Sequence, residues 1–166
     1  MGTIKIDVTA DKVTKSLLNL VKSVSGQGIL DDIAAIILRR NKERFLKGVD
    51  PNNNRWPESE SAKRRRAGLP DSQGITRVGS LGNTLFSTGS LFQAIQVLVS
   101  RSTKTQRVVS VNPSFTNRKT GAKVIGYAVK HQLGKDGLPK REFLGINTED
   151  RQVVNIFIER VLKRLG

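Results

Sequence analysis

Gln96-Val97-Leu98-Val99-Ser100-Arg101-Ser102 and Gln106-Arg107-Val108-Val109-Ser110-Val111-Asn112 alternate apolar and polar residues on either side of Thr103-Lys104-Thr105. Two alternating runs joined by a short polar link read as a β-hairpin. In that register Val97 and Val99 face Val109 and Val111. Ser87-Thr88-Gly89-Ser90, just upstream, precedes Leu91, Phe92, Ala94 and Ile95, a short helix with a hydroxyl cap. Downstream, Thr116 to Gly121 is a basic turn. Lys123 to Leu133 then brings Val124, Tyr127, Ala128, His131 and Gln132 together at helical spacing, and Gly134 to Arg141 is a loop.

The outer segments are mostly helical. Val153, Val154, Phe157, Ile158, Val161, Leu162 and Leu165 form a continuous apolar stripe. Asn147 or Thr148 caps that helix, with Glu149 and Asp150 at its positive end and Lys163 and Arg164 at its negative end. Ile29 to Leu46 is helical through Leu30, Ile33, Ile37 and Leu38, with Asp31 and Asp32 in the first turn and Lys47-Gly48 at the exit. Asp11 to Val24 has an apolar face, and Thr3 to Val8 alternates as a short strand. Asp50 to Pro57 is a loop that exposes Trp56, Glu58 to Ala67 a charged helix, and Gly68 to Gly82 a long mobile loop with four glycines. The expected architecture is a single α+β domain over residues 1–166, with helices packed around a small antiparallel sheet containing the hairpin, and long loops.

Composition narrows the function classes. The chain has 166 residues, enough for one domain with a real core, since a domain of about 150 residues buries roughly 68–70% of its unfolded surface. Cysteine is absent and histidine occurs once, which argues against disulfides, thiolate chemistry and multi-His metal sites. No apolar run reaches the ~20 residues of a membrane span, and Met1 to Thr9 lacks a signal-peptide core. The net charge is +15, and +12 of it lies between Pro51 and Arg141, where 16 basic residues face Glu58, Glu60, Asp71 and Asp136. Acidic partners are implied.

Three readings compete for that charge. Catalysis finds little support: His131 is the lone imidazole, no serine has nucleophile-elbow spacing, and Gly74, Gly79, Gly82 and Gly89 lack the Gly-Lys-Ser/Thr ending of a phosphate loop. Neither cofactor nor metal is expected. Nucleic-acid binding has two basic runs, Lys63-Arg64-Arg65-Arg66 and Arg118-Lys119-Thr120-Gly121-Ala122-Lys123, suited to salt-dependent phosphate contact. No aromatic interleaves them, so a stacking platform is missing. Assembly with other proteins suits the Gly-rich loop, the charged tips and an exposed Trp56.

Four stretches carry a family resemblance. Phe45-Leu46-Lys47-Gly48-Val49-Asp50-Pro51-Asn52-Asn53-Asn54-Arg55-Trp56-Pro57 resembles the "F..G.DP.G..W.P" segment of the tail completion and virion morphogenesis proteins of tailed bacteriophages. Leu85 to Ile95 resembles "L..TG.L..SI", with Ala94 where serine is commoner. Tyr127-Ala128-Val129-Lys130-His131-Gln132-Leu133-Gly134 is similar to "YA..HQFG", with Leu133 for the aromatic. Leu138 to Asn147 resembles ".PARPFLG.S", with Lys140 for alanine and Glu142 for the second proline. They follow the family order and span about Phe45 to Asp150.

The resemblance implies a non-enzymatic structural subunit of the virion, located at the neck or tail and assembled in the host cytoplasm. It would form a homo-oligomeric ring, commonly sixfold, that completes the tail and meets the tail tube and head connector. Genomic double-stranded DNA would pass through, with non-specific lumen contacts, and no membrane is involved. The alternative is a basic DNA-binding or capsid-morphogenesis accessory protein. Interface and packing candidates are Arg55, Trp56, Arg64, Arg65, Thr88, Gly89, Arg118, Lys119, Lys123, Tyr127, His131, Gln132, Arg141 and Phe143. Gly134 should end its helix in a left-handed conformation, and Phe143 and Leu144 should anchor the last helix.

Overall fold

A valine-rich strand needs partners on both sides to bury its backbone, and Arg107–Val111 (β3) has them. In the computed structural model, which describes residues 5–8, 27–71, 74, 84–103 and 106–165, β3 is the middle strand of an antiparallel sheet. Lys5–Val8 (β1) and Ile95–Val97 (β2) flank it, and all five β3 residues are buried. Ile6 pairs with Val109 on one side, Val97 with Val109 and Ile95 with Val111 on the other. The predicted segment Asp11 to Val24 and most of the predicted loop over 68–82 lie outside the described residues.

The hairpin departs from its expected register: Val97 pairs with Val109 and Ile95 with Val111, so Val99 has no strand partner. Leu98 N–H still donates to the Val108 carbonyl (2.7 Å), but Val99–Arg101 then coil into a 3₁₀ turn. The Ser102 hydroxyl fastens that turn by donating to the Leu98 carbonyl at 2.8 Å. Pairing resumes at Thr103 and Gln106, and Val99, expected to face the partner strand, stands 82% exposed.

Helices close over this sheet, so the architecture is α+β. Gln27–Lys47 (α1) starts before Asp31 and Asp32, which therefore sit beyond its first turn. Asp31 instead forms an ion pair with Arg107 of β3. Ile33, Ala34, Ile37 and Phe45 of α1 join Ile95, Val109 and Val111 in the core. Glu60–Arg66 (α2) and Ser90–Ala94 (α3) are short, and Val124–Leu133 (α4) contributes Val124 and Ala128. Gly134 ends α4 at φ 66°, the left-handed form expected; an added Cβ would press on the Lys140 backbone at 3.1 Å.

Thr148–Leu165 (α5) begins as the caps predict: Asn147 Oδ1 accepts from Asp150 N–H (2.8 Å), and Asp150 Oδ2 accepts from Asn147 N–H (3.0 Å). Beyond the cap, Asp150 is fully buried and paired with both Arg40 and Arg44, so it is more than a dipole acid. The apolar stripe reaches the core through Val154, Phe157 and Ile158, all half-buried, while Ile156 and Leu162 are exposed. Among the described residues no helix is long and apolar enough to cross a membrane.

Candidate functional site

The chain segments before α2, before α3 and after α4 meet at one cleft of about 660 Å³. Ser59 and Arg65 from the α2 segment, Ser87 to Ser90 at the start of α3, and Tyr127 and His131 of α4 line it, with Leu138, Pro139 and Arg141 closing the far side. A cavity of a few hundred cubic ångströms with convergent polar groups has the dimensions of a binding site.

Local chemistry shapes each wall. Ser59 caps α2, its hydroxyl accepting from Ala62 N–H at 3.2 Å. Gly89 precedes α3 at φ 76°, a conformation that a β-carbon disfavours, so the cap position itself falls on Gly89. The Thr88 hydroxyl supplies the bond from one residue earlier, accepting from Ser90 N–H at 3.3 Å, and lies 2.7 Å from the Ser90 hydroxyl. Ser90 is buried, and its hydroxyl accepts from Arg118 N–H (3.2 Å), tying the basic turn to the cleft floor. Asn117 builds that turn by accepting from Lys119 and Thr120 N–H at 2.9 and 3.2 Å.

Two guanidinium groups face opposite fates in this cleft. Arg65 is buried and donates to Asp71 Oδ2 at 2.6 Å, where Ser87 Oγ also donates at 2.8 Å. Arg141, only 3% exposed, donates from Nε to the Pro57 carbonyl (2.8 Å) and from Nη1 toward His131 Nδ1 (3.1 Å). It forms no ion pair among the described residues. Because an arginine can only donate, His131 Nδ1 is the acceptor and its proton resides on Nε2. Burial, reinforced by the Arg141 charge, brings the His131 pKa down to about 4, so the ring is neutral near pH 7. Burial also raises the Tyr127 phenol, opposed by a hydrogen bond from Asn117, and lowers Arg141 from its usual value.

Several sequence candidates belong to the interior. Trp56, expected at the surface, is 7% exposed; its Nε1–H donates to the Glu142 carbonyl (3.1 Å) and its ring meets Phe45 edge-on at 5.5 Å. An apolar indole finds more contact area in the core than any loop offers. Arg65, expected in a solvated basic run, faces inward because α2 turns it away from exposed Lys63, Arg64 and Arg66. Arg141 and Phe143 are buried too. Gln132 clamps the chain after the loop: its Oε1 accepts from Phe143 and Leu144 N–H (3.0 and 3.1 Å), and its Nε2 donates to the Leu144 carbonyl (2.7 Å).

The remaining candidates separate into two places. Thr88, Gly89, Tyr127 and His131 line the cleft with Arg65 and Arg141. Arg55, Arg64, Arg118, Lys119 and Lys123 are exposed outside it. Ser87, Ser90 and Asn117 complete the cleft, with Asp71 bonded to its Arg65 and Ser87; the sequence marks the two serines only as helix-cap chemistry and Asn117 only as part of a turn.

A scan against protein-family models finds no match, and neither curated proteins nor solved structures yield a similar chain.

Proposed function

We propose that this chain is a structural subunit of a tailed-phage virion, forming a ring at the head–tail junction that completes the tail and joins it to the head. The observation that carries the reading is the convergence of the four stretches that resemble tail completion proteins. Phe45 and Trp56 from the first, Phe86 and Phe92 from the second and Phe143 from the fourth form one aromatic cluster around Phe45, with centroids 5.5–6.5 Å from its ring. The third stretch joins through Gln132 and His131, each bonded to the fourth. Segments scattered over about a hundred positions thus make a single packed unit, which supports treating them as one motif.

A closed ring needs two unlike patches on each subunit. The exposed Arg118–Lys119–Lys123 turn is one candidate, and the Arg55–Arg64 surface is the other. Among the described residues Arg118, Lys119 and Lys123 form no ion pair, which leaves them available to acidic neighbours. The same turn favours the second reading, a DNA-binding or capsid-morphogenesis accessory protein. Negative-stain microscopy of purified virions carrying a labelled subunit separates the two. Label at the neck and discrete rings of purified protein are expected. Label in the shell, or a monomer that binds free duplex with a steep salt slope, overturns the ring assignment.

A further inference from the structure

We infer that the cleft between α2, α3 and α4 is a receptor for one acidic side chain on a peptide segment of a neighbouring protein, with Arg141 as its counter-ion. The starting point is the charge balance of the interior. Every other guanidinium that the structure buries has a carboxylate: Arg44 has Asp150, Arg65 has Asp71 and Arg107 has Asp31. Arg141 is as buried as these and has none among the described residues. A desolvated charge is costly unless paired, so an arginine held this way on a cavity wall, with no carboxylate among the described residues, is suited to an anion from outside.

The surroundings select the kind of anion. Arg141 is oriented before any ligand arrives, because Pro57 and His131 fix its Nε and Nη1. Guanidinium N–H groups left over from those bonds suit the paired oxygens of a carboxylate. His131 adds a neutral Nε2–H donor, and Ser87, Thr88 and Tyr127 line the same cleft. Glu58 and Glu60 also line the cleft, paired with Arg66 and Lys63. Their charge opposes a polyanionic backbone more strongly than a single carboxylate. A duplex carries its phosphates on a rigid surface and cannot lower one into a recess of about 660 Å³. The occupant is therefore a polypeptide and not nucleic acid.

The identity of the neighbour as a virion protein rests on the reading above; the carboxylate site does not. The test uses the full chain and two capped probes, Ac-Ala-Glu-Ala-NH₂ and its neutral isostere Ac-Ala-Gln-Ala-NH₂, at constant ionic strength. The lone histidine provides a single set of imidazole signals to follow by NMR. The glutamate probe is expected to shift them saturably with a dissociation constant of about 1–10 mM, the scale of one charge-assisted contact. The glutamine probe should bind at least about tenfold more weakly. Arg141→Lys, which keeps the charge but loses the planar fork, should weaken the glutamate probe at least about tenfold, and Arg151→Gln, an exposed charge on α5 outside the cleft, should leave it unchanged. Equal responses to the two probes, no response at all, or full binding by Arg141→Lys overturns the inference. So does a duplex oligonucleotide or inorganic phosphate that moves the His131 signals when the glutamate probe does not. Failure of the protein to form rings, with glutamate-selective binding intact, counts against the neck reading alone and leaves the receptor site standing.

Discussion

Arg44 Nη1 donates to both carboxylate oxygens of Asp150, at 2.9 and 2.8 Å, across 106 positions of sequence. Arg40 approaches the same carboxylate from the next turn of α1, and Arg44 Nη2 donates to the Gly145 carbonyl at 2.8 Å. Burial alone would raise the Asp150 pKa, but bonds from Arg44, Asn147 and Arg40 lower it overall. Asp150→Ala is expected to destabilise the protein by about 3–5 kcal/mol, because two cations remain without their shared partner. Urea unfolding measures the loss. Asp150's contribution is present at neutral pH and is lost as pH falls through its lowered native pKa.

His131 gives a pH dependence in a higher window. Its native pKa of about 4 lies below the unfolded value of 6.5, so the unfolded chain binds more protons between them. Stability contributed by the neutral ring is complete above pH 6.5 and declines as pH falls toward 4. Allowing for the partial exposure of the ring, about 1–2 kcal/mol should be lost over that interval. The difference between wild type and His131→Asn in urea midpoints from pH 7 to 4.5 isolates it; parallel profiles would contradict the assignment.

Gly145 lies against Pro51, and a β-carbon there would collide with the proline ring. Gly145→Ala should cost about 1–3 kcal/mol by overpacking. Pro51→Ala in the same chain should recover part of it, a coupling that a double-mutant cycle detects.

Gln132 satisfies three backbone groups of Phe143 and Leu144. Replacing it with leucine leaves those groups buried without partners, at about 1–3 kcal/mol for an unsatisfied group. Hydrogen exchange at the Phe143 and Leu144 amides should accelerate well before exchange in β3 does.

Arg118→Glu with Lys119→Glu changes only exposed side chains. Thermal and urea stability should stay within about 0.5 kcal/mol of wild type. Assembly is the property expected to suffer, read as a lower fraction of rings by microscopy or sedimentation.

Periodicity determined much of this molecule. The α1 stripe, the Val124 helix, the Asn147 cap of α5, the left-handed Gly134 and the β2–β3 pairing are local consequences of residue spacing and backbone preference. Tertiary structure decided what spacing cannot encode. The three-residue turn at Val99 broke an alternation that predicted an inward valine. Burial turned Trp56, Arg65 and Asp150 from loop, patch and dipole residues into interior ones. The cleft exists only because Arg65, Ser87, His131 and Arg141 come from separate segments. The charge of the middle section divides in the same way. A residue's sign is written in the chain, but whether it meets water, a counter-ion or an empty recess depends on which distant segment packs against it.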